Sequence, residues 1–189
     1  MSQVQKPTWL VDVAVRVGEA AFKLSMDHRA VLDSRLPAGT IDRLGADLAV
    51  LRDMAAGASV ARATKSSATL TQKDACRTGL RLVVAIRSAV RDARPADKAL
   101  HKAFGVGVRV QPKKVPSGEA ARQTILDAAA REPEAATEVG LRPEDVEEVR
   151  LAKAALGAAD TSQEGKKVSA KTATSDRNGT HLRVEALVR

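Results

Sequence analysis

Alanine is the commonest residue in this chain, and aromatic residues are almost absent. The 189 residues include 35 Ala, one Trp, two Phe and no Tyr. Alanine carries the lowest cost of any residue in a helix, whereas sheets are enriched in β-branched and aromatic residues. This imbalance predicts an all-α protein. It also disfavours modules that stack nucleic-acid bases on aromatic side chains, such as RRM and OB folds.

Apolar residues recur at spacings of three and four, which is typical of amphipathic helices. We predict an antiparallel bundle of about six helices. The first covers about 9–34, with Thr8 as its N-cap and His28 on its buried stripe. A turn at Lys65–Ser67 separates the second helix from the third. The remaining boundaries follow from Pro, Gly and Ser positions: helices near 40–63, 68–94, 117–131 (capped by Ser117) and 143–156, and a last helix around 181–188, with a short additional helix at 96–104.

An internal repeat is the most informative pattern. Lys65–Arg87 aligns with Lys167–Arg189 without gaps, with eight of 23 positions identical. The apolar positions upstream also coincide. The repeat predicts two duplicated helical hairpins, 36–87 and 141–189, although chance similarity between two Ala- and Arg-rich helices is an alternative. We therefore divide the chain into a first unit (1–104), an extended linker (105–116) and a second unit (117–189).

Charge is segmented along the chain. The net charge is +8, yet residues 61–116 contain thirteen Lys and Arg against three acidic residues, and residues 117–160 contain five against ten. One arc of the predicted third helix is almost purely basic and also carries two apolar residues. Its members form the candidate interaction surface: Lys73, Arg77, Leu80, Arg81, Val84, Arg87, Arg91 and Arg94. The simpler interpretation is an ordinary solvated helix face.

Few sequence patterns indicate a catalytic, metal-binding or cofactor-binding site. A single cysteine, Cys76, excludes an intramolecular disulfide and a Cys-based zinc cluster. The glycines lack the spacing of a phosphate-binding loop, and no Glu-x-x-His pair is present to hold a di-iron centre. We expect no cofactor, no metal and no enzyme activity. Asp12 and Arg16 interrupt the apolar N-terminal stretch, and no apolar run is long enough to span a membrane, so we expect a cytoplasmic protein without membrane contact.

These observations favour a helical interaction or scaffold protein that self-associates or docks a protein partner. The alternative is a non-specific nucleic-acid-binding protein that uses the basic helix at 61–94 to neutralise phosphates. Leu80 and Val84 favour the first hypothesis, because a phosphate-binding surface has no use for apolar side chains within its basic arc. Glu144, Asp145, Glu147 and Glu148 supply a complementary acidic block, inside the molecule or on a neighbouring copy.

Overall fold

The structure, a computed structural model, describes residues 6–189 and is all-helical over that range, as the composition predicts. Residues 1–5 lie outside the described residues. The described range contains seven helices: α1 (Val11–Asp27), α2 (Arg29–Leu32), α3 (Thr40–Ala93), α4 (Lys98–Ala103), α5 (Val115–Arg131), α6 (Pro133–Glu138) and α7 (Pro143–Val188).

Two of the helices are far longer than predicted. The expected turn at Lys65–Ser67 is wrong, because α3 continues through it for 54 residues. Segment 36–87 is therefore not a hairpin. The polar stretch after Leu156 is also helical, within the 46 residues of α7, so segment 141–189 is not a hairpin either. Ser, Lys and Thr cost only a fraction of a kcal/mol each in a helix, so small polar residues alone do not end one.

The chain forms two compact units that each contain part of α3 and part of α7. Unit 1 comprises residues 1–65 and 166–189, and unit 2 comprises residues 66–165. This grouping differs from the sequence-based division into 1–104, 105–116 and 117–189. The reason is local: residues 105–114 are a turn-rich loop packed within unit 2, whereas the end of α7 packs in unit 1.

Unit 1 packs α1 against the start of α3 and the end of α7. Its core contains Ala14, Leu44, Leu48, Leu51 and Val184. A Cβ on Gly18 of α1 would lie 2.5 Å from the Leu48 side chain, so a residue without a side chain permits this close approach.

The register predicted for the first helix is wrong. Its inward stripe contains Ala14 and Gly18, while Leu24 on the predicted stripe is 60% exposed. His28 is exposed as well, because α1 ends at Asp27 and His28 forms the junction with α2. The smallest residues of α1 face the core, since they allow the helices to approach closely.

The N-terminal segment is held by the far end of α7. Glu185 accepts hydrogen bonds from the backbone N–H groups of Thr8 (3.1 Å) and Trp9 (2.6 Å). These bonds lower the pKa of the Glu185 carboxyl against the opposing effect of its burial. Thr8 is therefore not the N-cap of α1; that position is Leu10, without a side-chain hydrogen bond. His181 is 1% exposed, and its Nε2 lies 3.3 Å from Oε1 of Glu185.

Unit 2 packs α4, α5 and α6 against the later part of α3 and the start of α7. Phe104, Ile125, Val90 and Val149 are completely buried at its centre. Asp97 caps α4 by accepting the Leu100 N–H at 2.8 Å. Ser117, the predicted N-cap of α5, lies inside the helix, and its hydroxyl accepts the Gln111 N–H instead.

Candidate interaction surface

The predicted basic arc lies on α3 within unit 2, and most of it is accessible. Val84 is 58% exposed and Leu80 is half-buried. The exposed cations of the arc are Lys73, Arg77, Arg81, Arg91 and Arg94. Sequence reasoning therefore placed seven of the eight predicted residues at least partly at the surface.

Arg87 does not belong to the exposed surface, because its side chain is buried. Its Nε donates to the carbonyl of Phe104 (3.1 Å) and its Nη1 donates to the carbonyl of Val108 (2.8 Å). Burial lowers the pKa of the guanidinium. The loop after α4 covers the edge of the basic arc on which Arg87 lies. Arg87 thus acts as an internal brace that fixes this loop to α3.

Two glycines let the loop turn at this point. Gly105 (φ +67°) and Gly107 (φ +83°) adopt left-handed backbone conformations that residues with a Cβ rarely take. A Cβ on Gly105 would also lie 2.6 Å from the Arg87 guanidinium. The alternating valines that follow are therefore not an extended linker. They form a wall beside α3.

Together, α3 and the loop enclose a groove of about 400 Å³. Leu80 and Val84 line it from the helix, and Val106, Val108 and Val110 line it from the loop. Val108 is 63% exposed, so apolar surface on both sides of the groove faces solvent. Exposed apolar surface bordered by polar residues is typical of binding sites.

The cations near the groove are poorly compensated. Arg91 pairs only with its neighbour Asp92 (3.2 Å), and Arg94 pairs with Glu138. Within residues 6–189, Arg81 and Arg109 have no ion-pair partner. Exposed single ion pairs contribute little energy. The groove therefore has apolar walls, and the two unpaired cations are the sequence neighbours of its lining residues Leu80 and Val108.

The opposite charge lies on the first turns of α7. Glu144, Glu147 and Glu148 are exposed, and Leu151 on the same side of the helix is 61% exposed. Glu148 also borders a cavity of about 210 Å³ whose apolar lining includes Leu82, Ile86 and Leu141. Asp145 differs from its neighbours: it accepts the Arg142 N–H at 2.9 Å, which lowers the pKa of its carboxyl.

Negative charge at the start of α7 also suits the helix dipole. That explanation applies to Asp145, which stabilises its own helix end. It does not explain Leu151, which leaves an apolar side chain in solvent beside the acidic residues. This acidic, partly apolar side of α7 (Glu144, Glu147, Glu148 and Leu151) is called the α7 face below.

The described residues show neither a metal-binding cluster nor a membrane-spanning helix. Among residues 6–189, no cluster of three or more His, Cys, Asp or Glu side chains has the geometry to hold a metal ion. Over the same range, every helix is too short or too polar to cross a bilayer. Comparison of the chain with known protein families, curated proteins and solved structures gave no match.

Sequence reasoning missed half of the groove. Val106, Val108 and Val110 alternate with Gly and Arg, a pattern that resembles a strand or linker when no packing partner is known. Gly105 and Gly107 were the available signal, because glycines at alternate positions favour tight turns. Arg122, which is 1% exposed within α5, was also missed, since arginine is rarely buried.

Proposed function

We propose that this chain is a non-enzymatic helical interaction protein that self-associates, with the groove of one copy receiving the α7 face of another. The observation that carries the proposal is complementarity. The groove has apolar walls and lies beside Arg81 and Arg109, which are unpaired within residues 6–189. The α7 face has an exposed leucine among carboxylates, of which Glu147 is paired with Arg150 while Glu144 and Glu148 have no ion pair within the same range. Both surfaces belong to unit 2, so each copy offers both.

Each surface on its own leaves an apolar side chain exposed to water. Val84 and Leu151 each expose more than half of their surface, which costs free energy that burial in a shared interface would recover. Arg81 and Arg109 would meet Glu144 and Glu148, so that attraction would set the orientation of the partner helix. An amphipathic helix in an apolar groove is a common mode of protein recognition.

An internal duplication fits the same proposal. Helices α1 and α5 each have 17 residues and begin 104 positions apart, at Val11 and Val115. Each is followed by a short helix and then by a long one, and the long helices begin at Thr40 and Pro143. The repeated order of elements supports a common origin for the two halves, with different charges acquired on each.

Charge reversal tests the interface directly. One variant carries Arg81→Glu and Arg91→Glu, and the other carries Glu144→Lys and Glu148→Lys. We expect wild-type protein to dimerise at low salt in analytical ultracentrifugation, and each variant alone to dissociate at least about tenfold more readily. Mixed in equal amounts, the two variants should form a heterodimer, because both pairs of surfaces are then complementary again.

The apolar part of the interface has a matched control. Val84→Asp should abolish association, while Val60→Asp, at a similarly exposed position of α3 in unit 1, should leave it intact. A wild-type chain that stays monomeric up to about 200 μM at low salt would refute self-association. So would variants that do not associate when they are mixed.

The nucleic-acid alternative rests on the same unpaired cations. It requires duplex DNA binding that falls steeply with salt, with a slope set by the number of phosphates neutralised. Arg81→Glu with Arg91→Glu would then abolish DNA binding, whereas Val84→Asp would weaken it less. Sub-micromolar binding of random duplex at about 150 mM salt by a monomer would favour this function.

A further inference from the structure

Arg122 on α5 is the most unusual charged residue of unit 2. Its side chain is 1% exposed, yet its only hydrogen bond runs from Nη2 to the carbonyl of Ala75, at 3.1 Å. Both Nε and Nη1 are buried and have no hydrogen-bond partner. A buried charge without a counter-charge costs several kcal/mol, and each unsatisfied donor adds to that cost.

The surroundings of Arg122 are built around its guanidinium. A Cβ on Gly79 would overlap it, and a Cβ on Gly118 would lie 2.9 Å from Nη1. Two glycines on facing helices thus leave room for this one planar group. A residue present only to fill space would not need a charged group at this position.

A small cavity adjoins the guanidinium. Its volume is about 10 Å³, close to the smallest that holds one water-sized group. Arg122 and Lys114 line it together with Cys76, and none of the residues lining it is a carboxylate. Burial raises the pKa of the Cys76 thiol, which therefore stays neutral at physiological pH. Glu119, on the turn before Arg122, interacts with it only through its electrostatic field.

We propose that this cavity binds a single monatomic anion, chloride, which accepts hydrogen bonds from Nε or Nη1 of Arg122. Chloride supplies a negative charge in direct contact with the guanidinium, which Glu119 does not. It is larger than a water molecule, so the cavity must widen slightly to admit it. The cavity volume excludes sulfate and phosphate, each of which has four oxygen atoms. A bound water would satisfy the donors but would leave the charge unbalanced.

Ion-specific stabilisation is the first test. The melting temperature of the full chain is compared in sodium chloride, bromide, sulfate and gluconate at equal ionic strength. We expect chloride and bromide to raise it by about 3 °C above gluconate once they exceed their dissociation constants. Arg122→Met should lose this difference, and Arg131→Met, which removes an exposed cation of the same helix outside the cavity, should keep it.

A second measurement does not depend on the variant folding. Wild-type protein should broaden the chlorine-35 NMR line, and excess bromide should reverse the broadening by displacing chloride. Equal melting temperatures in chloride and gluconate, with no broadening, would show that the cavity holds only water and would overturn the proposal. A larger effect of sulfate in wild type than in Arg122→Met would overturn the size argument.

Discussion

Replacing Arg87 with methionine tests the claim that a buried arginine holds the wall of the groove. The guanidinium donates to the carbonyls of Phe104 and Val108, at 3.1 and 2.8 Å. Hydrogen bonds from charged groups contribute about 1.5–3 kcal/mol each. Phe104 is fully buried, so its carbonyl loses its partner without gaining water, whereas the exposed Val108 can be solvated.

The two losses differ in size for that reason. The stranded Phe104 carbonyl should cost about 1–3 kcal/mol, and the Val108 bond should cost less than about 1 kcal/mol. Removing the desolvated charge of Arg87 returns part of this. We therefore expect Arg87→Met to lower the free energy of unfolding by about 1–3 kcal/mol. Arg87→Lys should lose less, because its ammonium keeps a charged donor.

Urea denaturation followed by circular dichroism measures these differences. Arg91→Met is the matched control, since it removes a cation one helical turn away whose side chain is 60% exposed. Its effect should stay within about 0.5 kcal/mol. If Arg87→Met and Arg91→Met destabilise the protein equally, Arg87 is an ordinary surface residue and the brace does not exist.

Two further predictions concern the packed interior. In the same urea assay, Gly79→Ala should destabilise the protein by about 1–3 kcal/mol, because its Cβ would overlap the buried Arg122. Gly57→Ala, on the same helix but with open space around it, should instead stabilise the protein by about 0.5–1 kcal/mol. Burial lowers the pKa of His181, so the free energy of unfolding should fall as the pH drops below 6.5. Hydrogen bonds from backbone N–H groups lower the pKa of Glu185, so a second decrease should begin below pH 4.5. Glu185→Gln should lose the lower phase and enlarge the upper one, because the Glu185 charge raises the pKa of His181. A wild-type unfolding free energy that is flat from about pH 7 to 3 would contradict both assignments.

Much of the architecture can be predicted from the sequence. The all-α class follows from alanine content, since helix propensity is local and adds along the chain. Pro95, Pro133 and Pro143 lie at or beside helix boundaries, because proline lacks the N–H that a helix interior requires. The basic arc on α3 is likewise a local property, because the helical period places side chains on a face without reference to anything else.

The tertiary structure determines which residues of each helix are buried and which are exposed. Leu24 and Val31 are apolar enough for a core, but Ala14 and Gly18 face inward because close helix approach outweighs the burial of larger side chains. Arg87 has the same period as its basic neighbours, yet a loop from beyond α4 covers it. Burial of an arginine depends on where carbonyls from distant segments come to lie, and that is a property of packing between elements rather than of any one helix.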